Sequence, residues 1–202
     1  QRFLVGGGNR HLPGDQLPDE GIFLGLAAPR CIGFLRSGDP EAARLGAQIE
    51  SKRQYDRGVA LEAEGRYDEA CAALRAALEA GASMINDIAG MTRPGAIEAV
   101  ADSDCAVCIM HMQGEPGTMQ QAPVYGDVVG EVRDYFVEQV ANCRSAGIAD
   151  ERLVLDPGFG FGKTLEHNLK LFRELGSLAI EGLPLFIGVS RKTMLGAITG
   201  RP

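Results

Sequence analysis

The sequence predicts an α/β protein in which short parallel strands alternate with helices. From residue 83 onward, apolar runs of about five residues alternate with longer stretches of helical periodicity, which is the pattern of repeated strand–helix units. The runs contain almost no polar residues, as expected for parallel strands that helices cover on both faces. A parallel sheet with right-handed helical crossovers follows from these two observations.

Four strands are predicted from the apolar runs. They are Met84 to Ile88, Val107 to His111, Leu153 to Asp156, and Leu185 to Val189. An unclosed set of parallel strands exposes unpaired backbone groups at its edges. The edges are therefore expected to be covered by the N-terminal apolar runs or by a second copy of the chain, or to stay uncovered in a truncated product.

Two helices are predicted between these strands. The first is capped by Asp127, and apolar residues recur along it at spacings of three and four: Val129, Val132, Phe136, Val140 and Cys143. The second has Leu165, Leu169 and Phe172 on its apolar face and is predicted to end near Gly176.

The first part of the chain has a different character. Residues 1 to 50 contain nine glycines and four prolines, and their apolar runs at Phe3 to Val5, Ile22 to Ala28 and Cys31 to Leu35 fit either strands or irregular chain. Residues 54 to 80 predict a helical hairpin around Gly65, with the spacing of a single tetratricopeptide repeat. We therefore divide the chain into an unassigned glycine-rich and helical segment, 1–66, and an α/β domain, 67–202.

Charge and composition exclude several classes of partner. A net charge of −7 and a pI near 5.0 would repel a phosphate backbone, so nucleic acid is not expected. No apolar run reaches the ~20 residues that span a bilayer, and the N-terminus lacks the apolar stretch of a signal peptide, so we expect a cytoplasmic protein without a membrane partner. Five cysteines without a disulfide framework agree with this. Cys105 and Cys108 have zinc-ligand spacing but no second ligand pair, and we interpret them as core residues.

Polar residues stand at the end of every predicted strand. They are Asn86 and Asp87, then His111, then Asp156, and finally Ser190, Arg191 and Lys192. Ligands of parallel α/β proteins bind at the carboxyl ends of the strands, because the connecting loops converge there. Any one of these residues could be a turn former, but together they favour a binding site.

The segment LDPGFGFGKT, Leu155 to Thr164, carries the most information. A phosphate-binding loop ending in Lys163 would require glycine at position 157, which is Pro157, so nucleotide binding is the weaker alternative. The stronger interpretation is that Pro157 holds Asp156 extended toward a ligand. The carboxylate would then accept hydrogen bonds from two adjacent N–H groups of that ligand. His111 and His167 are interpreted as a structural and a surface residue.

Four motifs resemble those of the dihydropteroate synthase family, in the family's order. They are NDIAG from Asn86, CIMHMQGEPGTMQ from Cys108, LDPGFGFGKTLEHNLKL from Leu155 and GVSRKTMLG from Gly188. The resemblance extends from about Ala76 to Pro202 and is strongest to bacterial members. It implies a TIM-barrel fold of the (β/α)8 type, here incomplete, and a pterin-binding domain over residues 67–202.

The resemblance also implies roles for individual residues. Asn86 and Asp156 would hydrogen-bond the pterin, Met110 would pack against it, and Gly188 would leave room beneath it. Lys192, flanked by Arg191 and Thr193, would contact the pterin carbonyl and ring nitrogen, and with Asp156 would act in catalysis. The residues expected on the p-aminobenzoate side, where sulfonamides compete in this family, are Gly160, Phe161, Lys192 and Thr193.

The implied reaction joins 6-hydroxymethyl-7,8-dihydropterin diphosphate to p-aminobenzoate in folate biosynthesis. Mg²⁺ is expected to accompany the diphosphate, no protein residue is expected as a metal ligand, and a homodimer is the expected assembly. The family's first loops are not recognisable in residues 1 to 75, and the resemblance stops before the strand whose Arg and His would bind diphosphate. A truncated, non-catalytic pterin-binding or interaction protein therefore remains the alternative.

Overall fold

The computed structural model describes residues 3–5, 40–115 and 117–189. The strands are β1 (Phe3–Val5), β2 (Met84–Asp87), β3 (Ala106–Met110), β4 (Leu153–Asp156) and β5 (Leu185–Ile187). The α-helices are α1 (Pro40–Ala63), α2 (Tyr67–Glu79), α3 (Ala96–Ala101), α4 (Val128–Ser145) and α5 (Leu165–Arg173), and short 3-10 helices lie at Asp150–Arg152 and Leu175–Leu178.

The strands form one sheet in the order β1-β5-β4-β3-β2. The pairs β1–β5, β3–β4 and β4–β5 are parallel, and the register of β3 and β4 sets Met110 beside Asp156. The predicted α/β class and all four predicted strands are confirmed, each within two residues of its expected bounds. The N-terminal run Phe3–Val5 covers one edge, because it pairs along β5.

The chain divides into two compact units, and the first contains most of the sheet together with α4 and α5. All four residues of β4 are buried, and the predicted apolar face of α4 is buried from Val129 to Cys143. Asp127 is the residue before α4, as predicted. The carboxylate of Glu131 accepts hydrogen bonds from the backbone N–H groups of Gly126 (2.7 Å) and Asp127 (3.0 Å). Asp127 instead accepts a hydrogen bond from Lys170 on α5, at 2.8 Å.

The predicted buried face of α5 is wrong. Leu165 and Phe172 are 41% and 50% exposed, whereas Asn168 and Leu171 are buried. Asn168 turns inward because its side chain has polar partners there. Its Oδ1 accepts from Gly160 N at 2.9 Å, and its Nδ2 donates to the carbonyl oxygen of Thr164 at 2.7 Å. These bonds compensate the cost of burying an amide.

The second unit contains α1, α2 and α3. The helical hairpin predicted around Gly65 is confirmed, and its first helix begins earlier than expected, at Pro40. A Cβ at Gly58 would lie 3.2 Å from Leu74, so glycine allows α1 and α2 to pack closely. Tyr55 on α1 is only 2% exposed.

The described residues contain four cysteines, and all are buried free thiols: Cys71, Cys105, Cys108 and Cys143. The burial of Cys105 and Cys108 agrees with their interpretation as core residues. Within the described ranges, no helix combines the length and the apolar character needed to cross a bilayer.

Candidate functional site

Polar residues from three neighbouring strands lie along one edge of the sheet. Asn86 and Asp87 end β2, His111 follows β3, and Asp156 ends β4. The backbone N–H of His111 donates to the carbonyl oxygen of Asp156 at 2.9 Å, which continues the ladder to the ends of the two strands. The carboxyl ends of these parallel strands therefore form the edge that the sequence predicted as a binding site.

Two further predicted site residues lie at this edge. Met110, 2% exposed, is the last residue of β3 and pairs in register with Asp156, and Gly188 directly follows β5. The predicted residues Arg191, Lys192 and Thr193 lie outside the described residues, so their placement and roles stay predictions.

The Asp156 carboxylate is held by its own loop. Its Oδ1 accepts the backbone N–H of Gly158 at 2.8 Å, and the residue is only 5% exposed. A bond from a side-chain oxygen to the N–H two residues ahead is a local turn that aspartate favours.

The glycines after Asp156 let the loop lie against the end of β3. Gly158 has a φ of 64°, and a Cβ there would collide with the carbonyl oxygen of His111. The close approach therefore requires glycine at this position. Gly160 and Phe161, predicted on the p-aminobenzoate side, are half-buried in the same loop, and Phe161 N donates to Gly158 O at 3.1 Å.

Lys163 points into the protein beneath this loop. Its side chain is 3% exposed, and Nζ lies 3.0 Å from Nδ1 of His111 and 3.1 Å from the His111 carbonyl oxygen. The same ammonium donates to the carbonyl oxygens of Gly158 (3.1 Å) and Phe161 (3.0 Å). A phosphate-binding lysine would instead reach toward a ligand, so the geometry contradicts the nucleotide-binding alternative.

His111 is a neutral, buried support for this arrangement. Burial lowers its pKa from 6.5 to about 3, and the positive charge of Lys163 contributes to the shift. Nδ1 accepts from the ammonium, and the ring forms a T-shaped contact with Tyr135, with the ring centroids 5.0 Å apart. These contacts agree with the structural role predicted for His111.

The loop after β2 is fixed by a buried carboxylate and a tyrosine. Asp87 accepts the backbone N–H groups of Ala89 (3.1 Å) and Met91 (2.6 Å). The Tyr135 hydroxyl of α4 lies 3.2 to 3.4 Å from three carbonyl oxygens, those of Met110, Ala89 and Gly90. Burial and the negative charge of Asp87 raise the pKa of Tyr135, which keeps the hydroxyl protonated as a donor.

The segment between β3 and α4 also forms hydrogen bonds to the glycine-containing loop that follows Asp156. Tyr125 donates its hydroxyl to the carbonyl oxygen of Gly162 at 2.9 Å, and the Gln120 amide donates to the carbonyl oxygen of Gly160. Tyr125 also contacts His167, whose backbone N–H and ring nitrogen complete a capping box with Thr164 at the start of α5. His167 is half-buried and holds the helix start, although the sequence predicted a surface residue.

Comparison with known proteins extends these observations. The family model described as pterin binding enzyme matches residues 70–202. The chain belongs to the pterin-binding enzyme family. Dihydropteroate synthase from Escherichia coli K12 is 53% identical over 125 residues, which are 62% of this chain and 44% of that protein.

Two solved dihydropteroate synthases are similar to the chain in structure. The Yersinia pestis enzyme, in a sulfonamide drug complex, has a TM-score of 0.62 and 45% identity, covering 65% of this chain and 48% of its own. The Xanthomonas albilineans enzyme, in complex with 7,8-dihydropteroate, has a TM-score of 0.59 and 44% identity, covering 65% and 49%. The similarity confirms the predicted TIM-barrel type of fold, and this pterin-binding family member spans about half the length of these relatives.

Several residues that organise the site were not predicted as site residues. From sequence alone, Lys163 is a candidate only for phosphate binding, and no site role is predicted for Asn168, Tyr125 and Tyr135. For Asn168, a polar residue between apolar helix positions gave a weak signal. For the two tyrosines the sequence offers no signal, because their partners are backbone carbonyl groups of distant segments.

The described residues do not form a metal site by themselves. Within residues 40–115 and 117–189, no three His, Cys, Asp or Glu side chains converge as metal ligands. Asp87 and Asp156 each accept backbone N–H groups within their own loops.

Proposed function

We propose that this chain carries the pterin half-site of a dihydropteroate synthase. The observation that carries the proposal is a buried carboxylate, Asp156, fixed at the carboxyl edge of a parallel sheet in a member of the pterin-binding family. A flat heterocycle with adjacent N–H donors is a natural ligand for such a carboxylate, since it can donate two parallel hydrogen bonds. The dihydropteroate bound by the Xanthomonas enzyme contains a pterin of this kind.

The residues have distinct roles in this proposal. Asp156 accepts from the pterin, Asn86 hydrogen-bonds the same ring from β2, and Met110 packs against it. Lys192 contacts the pterin carbonyl and ring nitrogen, with Arg191 and Thr193 on either side, and Gly188 leaves space beneath the ring. Gly160 and Phe161 form the p-aminobenzoate side together with Lys192 and Thr193.

The reaction is a substitution at the methylene carbon of the pterin. The carbon–oxygen bond to diphosphate breaks, and the amine of p-aminobenzoate forms the new carbon–nitrogen bond and loses a proton. The products are 7,8-dihydropteroate and diphosphate. The protein contributes by holding the two reactants in line and by stabilising the charge that develops, so no protein nucleophile is required. Mg²⁺ would arrive with the diphosphate, and EDTA should then suppress turnover but not pterin binding.

Pterin binding tests the proposal most directly. We expect Asp156→Asn to weaken the affinity for a pterin by about tenfold to a hundredfold, because a hydrogen bond to a charged group contributes roughly 1.5–3 kcal/mol. Asp150→Asn is the matched control, since Asp150 is an exposed partner of Arg144. Isothermal titration calorimetry with both variants would measure the change. Equal affinity of Asp156→Asn and the wild type would remove the central assignment.

A non-catalytic pterin-binding or interaction protein is the second candidate. It is favoured by α1, which lies outside the matched residues 70–202 and forms a helical hairpin with α2. Diphosphate release from the pterin substrate separates the two proposals. Release that depends on p-aminobenzoate supports the synthase, and pterin binding without release supports the alternative. Sedimentation of the same sample would test the proposed homodimer.

A further inference from the structure

The Lys163 side chain joins three parts of the site that are separate along the sequence. Its ammonium contacts His111 at the end of β3, Gly158 directly after β4, and Phe161 farther along the loop. All of these contacts fall between 3.0 and 3.1 Å, and the side chain is 3% exposed. Lysine is almost never buried to this extent unless its charge is compensated.

Backbone groups contribute directly to this compensation. The ammonium donates to three carbonyl oxygens, those of His111, Gly158 and Phe161, so it fixes the path of the chain. Removing it would leave buried carbonyl groups without this donor, which is costly in a low-dielectric interior. The loop would then be expected to move away from the end of β3.

The position of this loop determines where the ligand-binding groups lie. Gly158 both donates its N–H to the Asp156 carboxylate and accepts from Lys163 through its carbonyl oxygen. Phe161, on the predicted p-aminobenzoate side, is held by the same ammonium. One buried charge thus connects both halves of the proposed binding site.

We propose that Lys163 is a positioning residue, which holds the Asp156–Phe161 loop on the end of β3 so that the Asp156 carboxylate is preorganised for the pterin. The inference rests on the proposed pterin site and deepens it. Lys163 itself does not touch the ligand. Its effect passes through Gly158 and Phe161.

The test compares Lys163→Met with Lys170→Met. Lys170 lies on α5 and pairs with Asp127 at an exposed site, so its replacement is the control. We expect Lys163→Met to weaken pterin affinity by up to about tenfold to a hundredfold, since losing the hydrogen bonds between the pterin and the Asp156 carboxylate would have an effect of that size. The affinity of Lys170→Met should equal that of the wild type.

A second measurement separates positioning from a merely stabilising role. In the wild type the Gly158 amide proton is hydrogen-bonded to Asp156, and its NMR resonance should shift in folded Lys163→Met. If Lys163 only stabilised the fold, the variant would melt at a lower temperature with unchanged pterin affinity and an unchanged resonance. That outcome would overturn the inference, as would full recovery of affinity in Lys163→Arg, which retains the charge without the geometry.

If Lys163→Met does not fold, Lys163→Gln serves instead, because its shorter, neutral amide cannot reproduce the bonds of the ammonium to the three carbonyl oxygens. Weaker binding with a shifted Gly158 resonance supports the inference, and unchanged binding overturns it. A wild-type protein that binds no pterin would refute the proposed function instead. The Gly158 resonance would still report on the role of Lys163 in that case.

Discussion

Replacing Gly90 by alanine should destabilise the protein by more than an ordinary glycine substitution. Gly90 lies in the turn after β2 with a φ of 62°. A Cβ there would meet the hydroxyl oxygen of Tyr135 and would come within 2.5 Å of the Met110 carbonyl oxygen. The substitution therefore combines backbone strain with a steric collision in a packed region.

Gly147 allows these two effects to be separated. It has a φ of 84°, and a Cβ at that position would have no atom within 4 Å. Gly147→Ala should thus cost only the strain of a left-handed alanine, about 1–2 kcal/mol. Gly90→Ala adds the cost of overpacking, typically about 1–3 kcal/mol, so its total should be about 2–5 kcal/mol.

Urea unfolding followed by circular dichroism would measure both variants. A third variant, Gly90→Ala with Tyr135→Phe, removes the oxygen that lies nearest to the new methyl group. We expect its loss of stability to be smaller than the summed losses of Gly90→Ala and Tyr135→Phe measured separately, because the two sites are in contact. If Gly90→Ala lowered the free energy of unfolding no more than Gly147→Ala, the described packing of Tyr135 against this turn would be refuted.

Three other predictions concern stability. Phe136→Ala, at a fully buried position, should cost about 3–5 kcal/mol in urea unfolding, whereas the neighbouring 44% exposed Val137 should tolerate alanine with little loss. Asp87→Ala should lower the melting temperature by several degrees, because it removes the acceptor of two buried backbone N–H groups; an unchanged melting temperature would contradict those bonds. Burial, together with the charge of Lys163, lowers the pKa of His111 from 6.5 to about 3. The unfolded chain therefore binds a proton in this range that the folded chain does not, and stability should fall as pH falls from 6.5 toward 3, by up to about 1.4 kcal/mol per pH unit. Urea titrations of His111→Gln across this range should show a shallower pH dependence than the wild type.

The strands and α4 were predictable because local pattern and tertiary environment agree there. Strands β3 and β4 are largely apolar runs whose residues are mostly buried, and the apolar face of α4 packs inward along its length. Such segments report their surroundings directly through hydrophobic periodicity. Hydrophobic periodicity alone could not show that Phe3–Val5 is a strand. Its pairing depends on β5, which is about 180 residues away in the sequence.

The α5 helix shows where periodicity misleads. Three apolar residues at helical spacing predicted the buried face, but Asn168 occupies it, because a neighbouring loop supplies partners for both ends of its amide. The apolar Phe172 is left half-exposed, with one edge against Phe159. A pattern based on hydrophobicity cannot anticipate a polar side chain whose hydrogen bonds are formed in the fold.

The sequence by itself determined the strand–helix alternation, the alignment of polar strand ends and the family, because apolar periodicity and contiguous motifs are properties of the chain order. Only the tertiary structure decided that Lys163 points inward, that Tyr125 and Tyr135 hold the loops, and that Asp156 is fixed by Gly158. In most of these contacts a side chain bonds to a backbone carbonyl or N–H group, and nearly every residue possesses both groups. Their partners are therefore set by how distant segments meet in space, and the identity of the residues does not reveal them.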